Sequence, residues 1–365
     1  MNTFKPDYAI HPGEYLAEIL ESREIKKNDF ARRAGISPKA VSQIINGKAL
    51  YSSELALVFE RVLGVDARLW MNLENNWQLF HAERKEAAKL ANEETRAWLE
   101  RFPIADLRKM GIVSNTRKPQ EIAKAILRFF NVSSPNSCSE WIAQRAVAFR
   151  KSSAFPESLE ATSMWLQIAE REASAQNLPG YQRDKFKAAH DLLRSLTLLP
   201  INQGISRLKA ACAELGIALV IIPKLEGIRL SGASWWYGND RPVIALSLRY
   251  RSNDHFWFTF FHESAHLLLH GKKGIFLDGK DNSEAPEERE ADAFAGDLLI
   301  PPKSWVLFVK ANSFYEPAIK AFAKSLGIHP AIVVGRLQHE KLIEKSWHNG
   351  LKESIELPEG APNVD

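Results

Sequence analysis

Three histidines stand at four-residue intervals in FTFFHESAHLLLHG, residues 258–271, with a glutamate directly after the first. On a helix, His262 and His266 lie at i and i+4, so both imidazoles project from one face about a turn apart. That geometry lets both hold one tetrahedral divalent ion. Glu263 is offset by one residue, close enough to reach a water on the ion without ligating it. Zinc lowers the pKa of such a water to about 7, and a glutamate can take its proton as it attacks a carbonyl. The pattern therefore points to amide hydrolysis assisted by one Zn²⁺ per chain, with Glu263 as general base. The competing reading is an amphipathic helix that merely happens to be rich in histidine.

A catalytic zinc needs a third protein ligand. His270 follows at i+8 from His262, but HLLLH continues as helix and carries it more than a turn beyond the ion. Glu288, in EEREADAFAGDLLIP, is the stronger candidate, because Glu288 and Asp292 share a helix face at i and i+4. The glutamate can ligate while the aspartate holds a ligand histidine from behind, as in gluzincins. Glu287 and Glu290 compete for the role, but neither has a carboxylate four residues on. The separation of 22 residues from His266 to Glu288 leaves room for a loop and a returning helix. Apolar flanks and a preceding run of strands complete the setting that such a site requires.

The elements that must position these residues occupy only part of the chain. At 365 residues it is too long for one ordinary core. An apolar content of 45% and a charged content of 25% are those of a soluble globular protein. No secretory signal or membrane span is legible, and Cys138 and Cys212 have no metal-like spacing, so a reducing cytoplasm and no membrane partner are expected. Charge is uneven. From Arg23 to Lys48 seven Lys and Arg stand against two acids, while from Asp278 to Asp292 seven acids stand against two bases. A basic stretch suits a polyanion, and carboxylates near histidines suit a cation.

Residues 12–80 read as a compact helical unit. Pro12 opens a first helix, NDFARRAG is a second closed by Gly35, and Ser37 and Pro38 start a third that stops at Gly47. Two short helices across a glycine turn form a helix-turn-helix. Its third helix, from Pro38 to Ile45, would enter the major groove of double-stranded DNA, with Val41 and Ile44 facing the bundle. Lys39, Ser42 and Gln43 could then read base edges. Arg32, Arg33, Asn46 and Lys48 are better placed for phosphates. Useful affinity for an operator calls for a homodimer.

The expected fold is multidomain and mainly α with a small β-sheet. Residues 1–82 form the helix-turn-helix domain, and 83–200 a helical connector or dimerisation region. Residues 201–312 form a zincin-like α+β metallopeptidase domain, against which a helical segment, 313–365, packs. IALVIIP, RLSGASWWYG and RPVIALSLR are its strands. SGASWWYG or its neighbour could hold an extended substrate by strand addition. Tyr237, Tyr250 and His255 are candidates for transition-state stabilisation. One internal echo pairs FARRAGISPKAVSQIIN (30–46) with FAKSLGIHPAIVVGRLQ (322–338). The second copy has Ala331, Ile332, Val333 and Val334 where a reading helix needs polar groups, so it is expected to pack.

FTFFHESAHLLLHG followed by EREADAFAGDLLIP resembles the ImmA/IrrE family of zinc metallo-endopeptidases over roughly 205–305. The resemblance implies His262, His266 and Glu288 as zinc ligands and Glu263 as base. Asp292 stands where family members more often carry Asn. It also implies narrow proteolysis of a repressor-like partner. HPGEYLAEIL and FARRAGISPKAVSQIINGK resemble Xre/cI-type domains, HigA-type antitoxins especially. Together they imply a transcription regulator that hydrolyses a bond in a protein partner, or in itself, to control operator occupancy. The alternative is an antitoxin-like repressor whose metal domain senses, or binds a toxin partner, without proteolysis.

Overall fold

The computed structural model describes residues 7–149, 158–238, 240–272, 274–279 and 285–356. They fall into two compact units, residues 1–93 and 94–365. No helix among the described residues is long and apolar enough to cross a membrane.

The first unit is a bundle of α1 (Pro12–Ser22), α2 (Lys27–Ala34), α3 (Pro38–Ile45), α4 (Ser53–Leu63) and α5 (Ala67–Lys89). Local chemistry sets its ends. Gly35 adopts φ +66° to close α2, and the Ser37 hydroxyl accepts from the Ala40 amide to start α3. Phe30, Val41, Ile44, Phe59 and Trp70 fill the core. Gly13 allows the tightest approach, since a Cβ there would lie 2.2 Å from the Ile44 carbonyl oxygen. α1 and α3 can touch only through a glycine.

The second unit opens with α6 (Glu93–Leu99), α7 (Ile104–Lys109), α8 (Pro119–Phe130), α9 (Pro135–Phe149), α10 (Leu159–Ala175), α11 (Arg183–Ala188), α12 (His190–Ser195) and α13 (Ile201–Glu214). A four-stranded sheet follows, of β1 (Ala218–Ile222), β2 (Leu230–Tyr237), β3 (Arg241–Ser247) and β4 (Phe276–Gly279), in the order β1-β3-β2-β4. β1 runs parallel to β3, and the other pairs are antiparallel. β2 is therefore internal, and β1 and β4 are the outer strands. Between β3 and β4 lies α14 (Asn253–Ala265), prolonged by a π-helical turn from His266 to His270. α15 (Pro286–Leu299), α16 (Pro302–Ala311), α17 (Glu316–Leu326) and α18 (Pro330–His339) complete the unit. Residues 280–284 of the acidic stretch lie outside the described residues.

Strand alternation gives the sheet two apolar faces. Leu219, Ile221, Ile244 and Leu246 share a core with Phe256, Trp257 and Phe260 of α14, while α10 packs on β1 and β3 from the other side. The helical stretch before the sheet thus helps to build the unit that holds the histidines. The internal echo is a true second helix-turn-helix, with Gly327 at φ +67° between α17 and α18. Its Ala331, Val333 and Val334 are fully buried and α18 packs on α14, so this copy supports the histidine helix. Cys138 and Cys212 are both buried and unbridged.

One half-buried carboxylate couples this core to pH. Burial pushes Glu172 of α10 up to about 7, only partly offset by Lys209. A carboxyl raised on folding contributes stability that is complete below its ordinary range and lost as pH rises through about 7. Glu172→Gln is expected to match the wild type near pH 4 and exceed it at pH 8 by about 1–3 kcal/mol in urea unfolding. Equal stability at both pH values would refute this.

Candidate metal centre

α14 presents His262 and His266 to the Glu288 side chain of α15, and all three side chains are buried. His262 Nε2 lies 3.0 Å from Glu288 Oε2 and 3.1 Å from His266 Nε2. His266 Nε2 lies 3.5 Å from the same carboxylate oxygen. Three atoms able to ligate a metal thus form a small triangle. Edges of a tetrahedron around zinc, at ordinary Zn–N and Zn–O lengths, are about 3.3–3.5 Å. The triangle fits that face nearly without adjustment, so these residues suit a borderline divalent ion such as zinc.

The outer nitrogens are held too. His262 Nδ1 lies 2.9 Å from Asp292 Oδ1, a bond that fixes its tautomer and leaves Nε2 to the triangle. Burial works against a charged His262, but Asp292 and Glu288 outweigh it and draw its pKa well above the usual imidazole range. Burial likewise works against ionised Glu288, yet hydrogen bonds from His262 and His266 lower it to about 2.

Glu263 is wholly buried, and burial pushes its carboxyl well above the ordinary range. Neither oxygen makes a hydrogen bond of normal geometry among the described residues, although the Ser234 hydroxyl on β2 is close enough to draw the carboxyl back slightly. A buried carboxylate left so calls for a cation or a polar reactant beside it. Its position depends on β2. A Cβ on Gly232 would come 2.6 Å from Glu263 Oε1 and 2.7 Å from Thr259 Cγ2, so only glycine leaves the carboxylate room.

Three features escaped the sequence reading. β4 is one, and it brings Asp278 opposite Gly232 in the antiparallel ladder, hence onto the face that carries Glu263. Burial, reinforced by Glu288 and Asp292, pushes the Asp278 carboxyl up. The second is Gly232, legible only as a glycine inside a strand pattern. The third is the π-helical turn, a feature frequent at functional sites. It holds His270 Nδ1 2.9 Å from His266 Nδ1, on the side away from the triangle, so His270 is not a third ligand. Glu287 also stays outside the triangle. Among the stabiliser candidates, Tyr250 and His255 stack at 4.2 Å beside a narrow cleft walled by Ser231 and Thr259. Tyr237 lies at the far end of β2.

In the first unit, Lys39 and Ser42 are exposed on α3 and Gln43 is half-buried, while Val41 and Ile44 face the core. Asn46 donates to the Ser42 hydroxyl at 3.3 Å, so a base contact by Ser42 competes with that bond. Arg33 is paired with Asp29 at 2.6 Å, and Arg32 lies 3.9 Å from the same carboxylate. Lys48 is exposed just past α3.

Comparison with known proteins divides the chain in the same way. Residues 16–70 match a helix-turn-helix family model, and residues 212–304 match the IrrE N-terminal-like domain. The Escherichia coli uncharacterized HTH-type transcriptional regulator YddM is 34% identical over 73 residues, which are 20% of this chain and 78% of that protein. Virulence-associated protein I of Dichelobacter nodosus is 31% identical over 77 residues, 21% of this chain and 71% of its own. A solved structure, the Pseudomonas aeruginosa antitoxin HigA with higBA promoter, is 29% identical, with a TM-score of 0.22, covering 24% of this chain and 95% of that one. The chain belongs to the helix-turn-helix transcription regulators through its first unit and joins to it an ImmA/IrrE-type domain in the second.

Proposed function

We propose that the chain is a DNA-binding regulator whose second unit is a zinc-dependent endopeptidase acting on a regulatory protein partner or on the chain itself. The observation that carries this reading is the buried triangle of His262, His266 and Glu288 with the uncompensated Glu263 carboxylate beside it. Zinc, when bound, supplies a Lewis acid that polarises a peptide carbonyl and acidifies water. Glu263 takes the proton from the attacking water and passes it to the leaving amine, so one carboxyl serves as base and then as acid. Asp292 keeps His262 in the tautomer whose Nε2 carries a lone pair. β4, one of the two outer strands of the sheet, is a place where an extended substrate can add as a strand. The likeness to the ImmA/IrrE-type domain favours one regulatory partner over bulk protein.

The test is cleavage of a mass-spectrometric peptide library, and of the chain itself, with zinc and with a chelator. Zinc-dependent cuts support the reading. A chain that binds zinc yet cuts nothing is instead a sensor or a toxin-binding antitoxin.

In the first unit, Lys39, Ser42 and Gln43 serve as base readers, with Arg32, Arg33, Asn46 and Lys48 on phosphates. Two recognition helices on a two-fold operator make the bound form a homodimer. Replacing Lys39 or Gln43 by Ala is expected to relax sequence preference at single positions by about 1–3 kcal/mol in fluorescence anisotropy on promoter DNA. Lys48→Ala should weaken all sequences alike and lower the salt slope by about one. Equal loss on every sequence in all three variants would remove α3 from base reading.

A further inference from the structure

The histidine that does not join the triangle has a defined place behind it. The π-helical turn from His266 to His270 lays the two rings together, with Nδ1 to Nδ1 at 2.9 Å. The far nitrogen of His270, Nε2, lies 3.0 Å from Glu290 Oε2. His270 itself is buried, and Phe276 of β4 stacks on His266 at 4.3 Å with the planes 12° apart.

We propose that His270 and Glu290 form a hydrogen-bonded relay that positions His266 as a metal ligand. The inference rests on the zinc reading of the triangle. If Nε2 of His266 offers its lone pair to an ion, its proton sits on Nδ1 and is donated to Nδ1 of His270. His270 then carries its own proton on Nε2 and donates it to Glu290. One tautomer of each ring satisfies every contact, and no charged imidazole is needed. The two ligand histidines are thus held from behind by different means. His262 meets the Asp292 carboxylate directly, whereas His266 meets a carboxylate only through a neutral ring. α15 supplies the parts, with Glu288 for the triangle, Asp292 behind His262 and Glu290 at the end of the relay.

A packing role for His270 predicts something different from a relay. Leu fills a similar space without hydrogen bonds, while Gln can accept from His266 and donate to Glu290. The experiment titrates the full chain with Co²⁺ against a competing chelator and records the visible spectrum of each variant. His270→Leu is expected to bind about 10–100-fold more weakly, with a shifted spectrum, and His270→Gln to recover most of the affinity. Glu290→Gln, on a side chain 65% exposed and outside the core, is expected to weaken binding by a smaller factor. Wild-type affinity and spectrum in His270→Leu, or equal loss in the Leu and Gln variants, would overturn the relay and leave the metal centre standing. If His270→Leu does not fold, an unchanged Glu290→Gln overturns it alone. A wild type that takes up no Co²⁺ would sink the metal reading and the relay together.

Discussion

Glu263→Gln is expected to lower peptide hydrolysis by about 10²–10⁴-fold, the usual contribution of a general base. The change is nearly isosteric. Gln fits the space that Gly232 leaves beside Thr259, and it alters none of the three triangle atoms. It cannot take a proton from water, so the attack loses its base and the leaving amine loses its acid. Metal content should be unchanged, because Glu263 stands outside the triangle. DNA binding should also be unchanged, since the substitution lies in the other compact unit. Stability should hold or rise, for a neutral amide replaces a carboxyl that burial disfavours when charged. Library cleavage at the wild-type rate by the zinc-loaded variant would show that another group moves the proton.

The second large effect concerns stability and the ion. A ligand that binds only the folded state stabilises it by mass action, about 2.7 kcal/mol when present at a hundred times its dissociation constant. Zinc is therefore expected to raise the melting temperature of the second unit, and a chelator to return it. The first unit contributes no residue to the triangle, so its transition should not respond. Calorimetry of the full chain, with a separate transition expected for each compact unit, reads both at once. Glu288→Ala should abolish the response. That variant leaves two ligands, and it also strips His262 and His266 of the carboxylate that accepts from them. A zinc-induced shift of wild-type size in Glu288→Ala would move the site elsewhere.

Local chemistry made part of this architecture readable in the chain itself. Pro12, Gly35, Ser37 and Pro38 act within a few residues of where they stand, so the first helices and their caps could be read directly. The i, i+4 pairs His262/His266 and Glu288/Asp292 were legible for the same reason, since a helix converts spacing into a shared face. Pairing is different. β4 is four residues long, and its strand conformation comes from a ladder with β2, more than forty residues upstream. The parallel β1–β3 pair and the packing of α10 on the sheet are likewise long-range. His270 illustrates the limit well. Helical continuity set it outside the ligand set and more than a turn away, whereas the π-helical turn that puts it behind His266 has no signature in HLLLH. Gly232 carried a faint signal, a glycine within a strand, whose meaning appears only when Glu263 is opposite.

The measurement that bears most directly on the central claim is the metal content of the purified chain by elemental analysis. Wild type should be compared with His266→Ala and Glu288→Ala after loading with zinc and removal of the excess. About one zinc per wild-type chain, lost in both variants, is the expected result. A wild type without zinc after loading, or variants that keep it fully, would contradict a metal centre built on His262, His266 and Glu288.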